Sequence, residues 1–192
     1  MPRESHTVYA THVQLLGVSG SLRVASTNTR LLVAATHLAP AEVDFRLTTN
    51  VARLPLFSPD FEPSDIDVVD QWVQEMRAAD GVMISTPEYA GGYPGALKNA
   101  FDWLVGTDAY ISKPFMLLNA SPRSTIAQDT FATVLETMSG VHIESASTTI
   151  PLLGMKLAVS EIVGNREFAE RIRESILIFV SAVKRHAITT VA

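Results

Sequence analysis

The residues with the clearest capacity for chemistry lie in one bend, GSLRVASTN (20–28), which joins the apolar run VQLLGVS to the helical pattern TRLLVAATHL. Ser21, Arg23, Ser26 and Asn28 all carry hydrogen-bond donors, and Arg23 adds a charge, so the group points toward holding an anion. A strand-to-helix bend strengthens this, because unpaired N–H groups and the positive end of a helix dipole converge there. A plainer reading stays open: Ser26 or Thr27 caps the helix, Gly20 serves the turn, and Arg23 is a solvated charge. The bend matches neither GxGxxG nor GxxxxGK[ST]. Side-chain donors of this kind suit a monophosphate better than a pyrophosphate lying on bare glycines.

A second constellation, TPEYAGGYPGALKNAFDWL (86–104), crowds Pro87, Tyr89, Gly91, Gly92, Tyr93, Pro94 and Gly95 together. Proline stiffens such a loop, while glycines let main-chain N–H groups approach a ligand closely. A planar heteroaromatic fits this surface, with donors at its polar edge and an aromatic side chain near its face. A turn whose tyrosines merely cover the core remains the alternative. Taken with the anion site, the two loops describe one ligand with a phosphate at one end and a flat ring at the other, a shape that FMN has. In the helix that follows, Lys98 and Asp102 are spaced for a surface ion pair. Asn99 and Trp103 stand undecided between packing and a subunit contact.

These loops need a frame. Short apolar runs at 13–19, 43–49, 81–86, 114–121 and 141–147 alternate with helical patterns at 28–38, 65–78, 94–105, 126–138 and 166–184. That alternation predicts an α/β three-layer sandwich around a doubly wound, five-stranded parallel sheet. The proline-rich stretch LPLFSPDFEPSD (54–65) reads as an exposed loop leading into the second helix. With no repeat or linker, the 192 residues read as a single domain, residues 1–11 being a flexible extension. Ligands of such sheets bind beyond the carboxyl ends of the strands, which is where both loops fall.

Composition narrows the function. The chain has no cysteine, which excludes disulfides and thiolate chemistry, so redox chemistry would need a bound cofactor. The histidines show no ligand spacing, and no metal site is expected. A net charge of -5 without a basic stripe argues against nucleic acid or an anionic membrane as a partner. The opening MPRESHTVYATH has no apolar h-region, and no apolar run approaches a membrane span, so a cytoplasmic protein is expected.

Taken together, GSLRVASTN, similar to GSLRxxSxN, and TPEYAGGYPGALKNAFDWL, similar to PEYNxxxPGxLKNAxDW, resemble the NADPH-dependent FMN reductases of the flavodoxin-like superfold. That family includes quinone, azo-dye and chromate reductases, and the resemblance covers roughly residues 12–140. It implies the sheet order 2-1-3-4-5, FMN as cofactor, NADPH or NADH as reductant and a homodimer or homotetramer. Electrons would pass to a quinone, azo compound, free flavin or metal oxyanion, with no catalytic side chain because the flavin carries the chemistry. By the same resemblance Ser21, Arg23, Ser26 and Asn28 would bind the FMN phosphate. Pro87, Glu88, Tyr89, Ala90 and Gly91 would line the isoalloxazine, largely through main chain and with Tyr89 at its face, and Ser121 would approach from the other side. The alternative is a flavodoxin-type electron carrier or a module that binds FMN or another phosphorylated ligand; Arg23 and the moderate charge stand against the carrier. Two departures are specific to this chain. Ala90 stands where many relatives carry Asn, which implies a missing side-chain contact near the flavin. The loop ASPRSTIAQDTF (120–131) lacks glycine, which implies a differently shaped wall with Arg123 a candidate to intrude on it.

Overall fold

Along the first strand, β1 (Val13–Ser19), alternate side chains leave on opposite faces and every second one enters a different core, as strand geometry requires. The computed structural model describes residues 12–191; the extension expected at 1–11 lies outside them. On one face Val13 and Leu15 join Met83, Met116 and Leu118, and on the other Leu16 and Val18 join Val82, Ile84, Phe115 and Leu117. Burial on both faces explains why β3 (Gly81–Ser85) and β4 (Pro114–Asn119) read as continuous apolar runs. The edge strand β2 (Val43–Leu47) is only half-buried, and it ends two residues before the apolar pattern does. There the Thr48 hydroxyl donates to Glu75 Oε2 and accepts from Asn50 N–H, turning the chain away.

Among the described residues the strands pair in parallel, in the order β2-β1-β3-β4-β5, with β5 being Val141–His142. The expected fifth strand at 141–147 is broken. Phe115 faces His142, but Leu118 faces Thr148 of a separate short strand, β6 (Thr148–Thr149). The intervening IESAS is too polar to bury as a strand and folds into a 3-10 turn, Glu144–Ala146. Ser147 repairs the gap: its hydroxyl oxygen accepts the Leu117 N–H at 3.0 Å that a continuous strand would have satisfied.

Helices α1 (Thr27–Leu38), α5 (Val159–Gly164) and α6 (Arg166–Val191) cover the first core, packing Leu31, Leu32, Ile162, Ile172 and Phe179 into it. The second core takes Trp72 and Met76 from α2 (Asp67–Ala78), Leu97 and Phe101 from α3 (Gly95–Asp102), and Phe131 and Leu135 from α4 (Thr125–Thr137). Besides the end of α3 at Asp102, three residues before the expected 105, two points differ from the sequence pattern. The six-residue α5 is too short to show a period, and is held by Glu161, whose carboxylate accepts the Ala158 N–H at 2.7 Å. The last helix runs seven residues past 184 because neither glycine nor proline stops it.

The 54–65 segment is a loop that ends in a 3-10 turn, Pro63–Asp65, and α3 with the Trp103 that follows it holds the loop. The Pro55 carbonyl accepts from both Asn99 Nδ2 at 2.8 Å and Trp103 Nε1 at 2.9 Å, and Asn99 Oδ1 accepts the Phe57 N–H. Phe57 also packs edge-on against Trp103. Asn99 and Trp103, undecided from sequence, therefore make intramolecular contacts.

Candidate cofactor site

The segments leaving β1, β3 and β4 meet at the carboxyl end of the sheet because they are fastened to one another. Gly20 donates its N–H to the Ser85 carbonyl, and a Cβ on Gly20 would stand 2.4 Å from Thr86 Oγ1. Its φ is not positive, so close approach between the two loops, not turn conformation, is what demands glycine here. The Glu88 carboxylate accepts the Ala127 N–H in the first turn of α4, and Gln128 Nε2 donates to the Thr86 carbonyl. Beyond β4, Asn119 Oδ1 accepts from Ser121 N–H, and Ser121 Oγ accepts from Arg123 N–H. Side-chain turns thus form the glycine-free loop. Arg123 is exposed and off the cavity wall, contrary to its candidacy as an intruder; Ser121 and Ser124 face the cavity instead.

Between these segments lies a cavity of about 240 Å³. Ser21, Arg23, Ser26 and Asn28 line one side of it, Pro87, Glu88 and Tyr89 come from the segment after β3, and Ser121 from that after β4. Ala90 and Gly91 are not on its wall. They form the tip of a two-residue hairpin in which Tyr89 and Gly92 exchange both main-chain hydrogen bonds, with φ at +50° and +73°. Paired positive φ values mark a type I′ turn, for which Asn is preferred at the first position. The Ala90 position thus asks for Asn on conformational grounds alone. Thr27, Ala120, Ser124 and Leu153 also line the cavity; Thr27 was read only as a helix cap and the other three were not singled out from the sequence. Thr27 and Ser124 could have been found as hydroxyls flanking the chosen residues. Nothing in the sequence signalled Leu153, which the pairing of β6 with β4 brings in.

The polar side chains share a pattern. Ser26 Oγ accepts from Thr29 N–H at 3.2 Å, Ser21 Oγ from Arg23 N–H, and Asn28 Oδ1 from the Ser85 hydroxyl at 2.9 Å. With Ser121 Oγ also an acceptor, each group keeps hydroxyl or amide protons to donate. The plainer reading of Ser26 as N-cap is therefore correct and compatible with a donor role. The Thr27 and Asn28 N–H groups open α1 without a partner, and Arg23 has no ion pair, among the described residues. The single carboxylate on the wall, Glu88, already accepts from α4. Such a donor set is complementary to a phosphate monoester, and the apolar surfaces of Pro87, Tyr89, Ala120 and Leu153 suit a flat ring: the residues fit FMN.

A larger cavity of about 480 Å³ lies between β2 and α2; Arg46 on its wall is paired with Asp44, and Asp70 and Glu75 leave the lining net negative, which opposes an anionic ligand. Among the described residues, no group of three His, Asp or Glu is placed to hold a metal ion, and no helix is long and apolar enough to cross a membrane.

Fold and site define a class: a flavodoxin-like protein with a donor-lined cavity at the carboxyl ends of its strands. The model of the NADPH-dependent FMN reductase family matches residues 13–151, and the chain belongs to that family. It is similar to a 2-hydroxy-1,4-benzoquinone reductase of Burkholderia sp, 37% identical over 107 residues, covering 54% of this chain and 58% of that protein. A quinone reductase of Escherichia coli (strain K12) is 36% identical over 94 residues, covering 48% and 50%. The aligned segments thus span little more than half the length of these relatives. In three dimensions the chain resembles FerB, a flavoenzyme NAD(P)H:(acceptor) oxidoreductase from Paracoccus denitrificans, with TM-score 0.81, 25% identity, and coverage of 91% of this chain and 98% of that one.

Proposed function

We propose that this chain binds FMN in the donor-lined cavity and acts as an NAD(P)H-dependent oxidoreductase on a small acceptor: a quinone, azo compound, free flavin or metal oxyanion. The observation that carries the reading is the convergence of proton donors, with no uncommitted carboxylate, beside an apolar platform. Bound FMN would supply the redox chemistry, accepting hydride from the nicotinamide and passing two electrons onward. The chain's own residues bind and orient. Arg23, Ser21, Ser26, Asn28 and the first N–H groups of α1 hold the phosphate, and the fixed dipole of the helix favours its charge. Pro87, Glu88 and Tyr89 border the isoalloxazine, the Glu88 carboxylate acting through the position it gives the loop and Ala90 and Gly91 forming the hairpin tip that sets Tyr89, while Ser121 bounds the other side.

NADPH is the expected reductant on the strength of the family, with NADH its alternative. One folded domain suffices, since both cores share a single sheet. A homodimer or homotetramer is the expected assembly, supported by Leu56 and Phe61, which stand 87% and 54% exposed on the loop after β2 at the same sheet end as the cavity. The cytoplasm, where reduced nicotinamide is supplied, is the expected location.

The test is FMN titration followed by quenching of flavin fluorescence. Arg23→Ala should weaken FMN binding by about 1.5–3 kcal/mol, the range of a hydrogen bond to a charged group, and leave riboflavin, which lacks the phosphate, unaffected. An Arg23→Ala protein that binds FMN as well as the parent would refute the phosphate assignment.

A further inference from the structure

The last cavity residue, Leu153, lies outside the matched family segment, which ends at 151. It belongs to a turn, Leu152–Met155, closed by Met155 N–H donating to the Leu152 carbonyl at 3.1 Å, with Gly154 at φ +82°. A positive φ at the third residue is the mark of a type II turn, which projects its second residue, here Leu153, from the apex.

Both ends of the segment are pinned to parts of the cavity. Leu152 is buried in the first core, and its N–H donates to the carbonyl of Ala120, itself a wall residue. Farther on, the Leu157 carbonyl accepts from Arg30 Nη1 at 3.1 Å, one turn inside the helix whose first N–H groups open on the cavity. The turn therefore spans from the β4 wall to α1. Leu153 is nevertheless 56% exposed, an apolar side chain at the mouth of a polar-rimmed cavity. Its neighbours on the wall divide into phosphate-type donors and the apolar group Pro87, Tyr89 and Ala120. A branched hydrocarbon has nothing to offer an anion and gains by covering a ring.

We propose that Leu153 is a flavin-contact residue, packing on the uncharged part of the cofactor so that the Leu152–Met155 turn forms a wall that slows flavin release. This rests on the flavin reading above. The contact is a positioning one and takes no part in electron transfer.

Leu153→Ala, Leu153→Met and Arg23→Ala proteins should be titrated with FMN and with riboflavin by fluorescence, with dissociation followed by stopped flow. The urea midpoint of each variant checks folding. Leu153→Ala is expected to weaken both ligands about tenfold and to speed release, as removal of roughly half a leucine's burial would do, while Leu153→Met retains affinity. Arg23→Ala is expected to weaken FMN alone. Unchanged affinities in Leu153→Ala beside a weakened Arg23→Ala overturn the wall and leave the flavin site standing. Loss of FMN but not riboflavin affinity in Leu153→Ala places the residue at the phosphate end and also overturns it. A parent protein that binds neither ligand removes the flavin site and this contact together.

Discussion

At the tip of the Tyr89–Gly92 hairpin, neighbouring Ala and Gly residues should respond to exchange in opposite directions. Ala90 holds φ +50° and Gly91 φ +73°, and a Cβ at Gly91 would meet nothing within 4 Å, so backbone conformation is the only term at work there. A non-glycine residue in the left-handed region costs about 1–2 kcal/mol. Glycine gives back about 0.4–1 kcal/mol of that by loosening the unfolded chain. Ala90→Gly should therefore stabilise by about 0.5–1 kcal/mol, and Gly91→Ala should destabilise by a similar amount. Ala90→Asn should gain at least as much as Ala90→Gly, because Asn tolerates the left-handed region without glycine's unfolded-state entropy. Urea unfolding reads each value directly, and thermal midpoints should move about 2–4 °C per kcal/mol for a chain of this size. The same proteins separate two explanations of Ala90. If the position asks only for turn conformation, Ala90→Gly and Ala90→Asn bind FMN alike; if a side-chain contact is missing, only Asn tightens binding. Destabilisation by Ala90→Gly would refute the turn argument.

Tyr110, Gly20 and Asn99 give the further outcomes. The Tyr110 hydroxyl is buried without a hydrogen-bond partner among the described residues, so Tyr110→Phe should stabilise by about 1 kcal/mol in urea unfolding. Burial, and secondarily the charge of Glu136, pushes the Tyr110 phenol far above the ordinary tyrosine range. The parent should thus keep full stability below about pH 10 and lose it as pH rises beyond, whereas the Phe variant lacks this loss, a difference visible in alkaline thermal melts. Gly20→Ala should destabilise by about 1–3 kcal/mol and weaken FMN binding, since its Cβ would drive apart the loops after β1 and β3. Asn99→Ala removes a donor to Pro55 and an acceptor for Phe57, and should cost about 1–2 kcal/mol and hasten proteolytic cleavage within 54–58.

Much of this molecule was legible because its signals are local. Strands buried on both faces cannot be other than apolar, so β1, β3 and β4 announced themselves, and Ser26 and Pro94 marked the starts of α1 and α3. The bend at 20–28 and the loop at 86–95 were likewise legible as segments that meet at one end of the sheet, and eight of the ten chosen residues share one cavity. What escaped depends on distant partners. The apolar start of 141–147 reads as a strand, yet its polar remainder turns away and Ser147 completes the ladder with its side chain instead of its backbone. Gly20 looks like a turn glycine until Thr86 is seen against it. Leu153 is an unremarked leucine in an irregular stretch until β6 pairs with β4 and carries it to the cavity.

The central claim is that this cavity holds FMN for reduction by a nicotinamide, and it is tested most directly by adding NADPH, then NADH, to FMN-loaded protein under anaerobic conditions. The visible flavin absorbance should bleach within the time of mixing for at least one nicotinamide and return when a quinone is added. Protein that stays colourless after equilibration with excess FMN, or that stays yellow with both nicotinamides, would contradict the account, the first by removing the cofactor and the second by leaving a carrier in place of an enzyme.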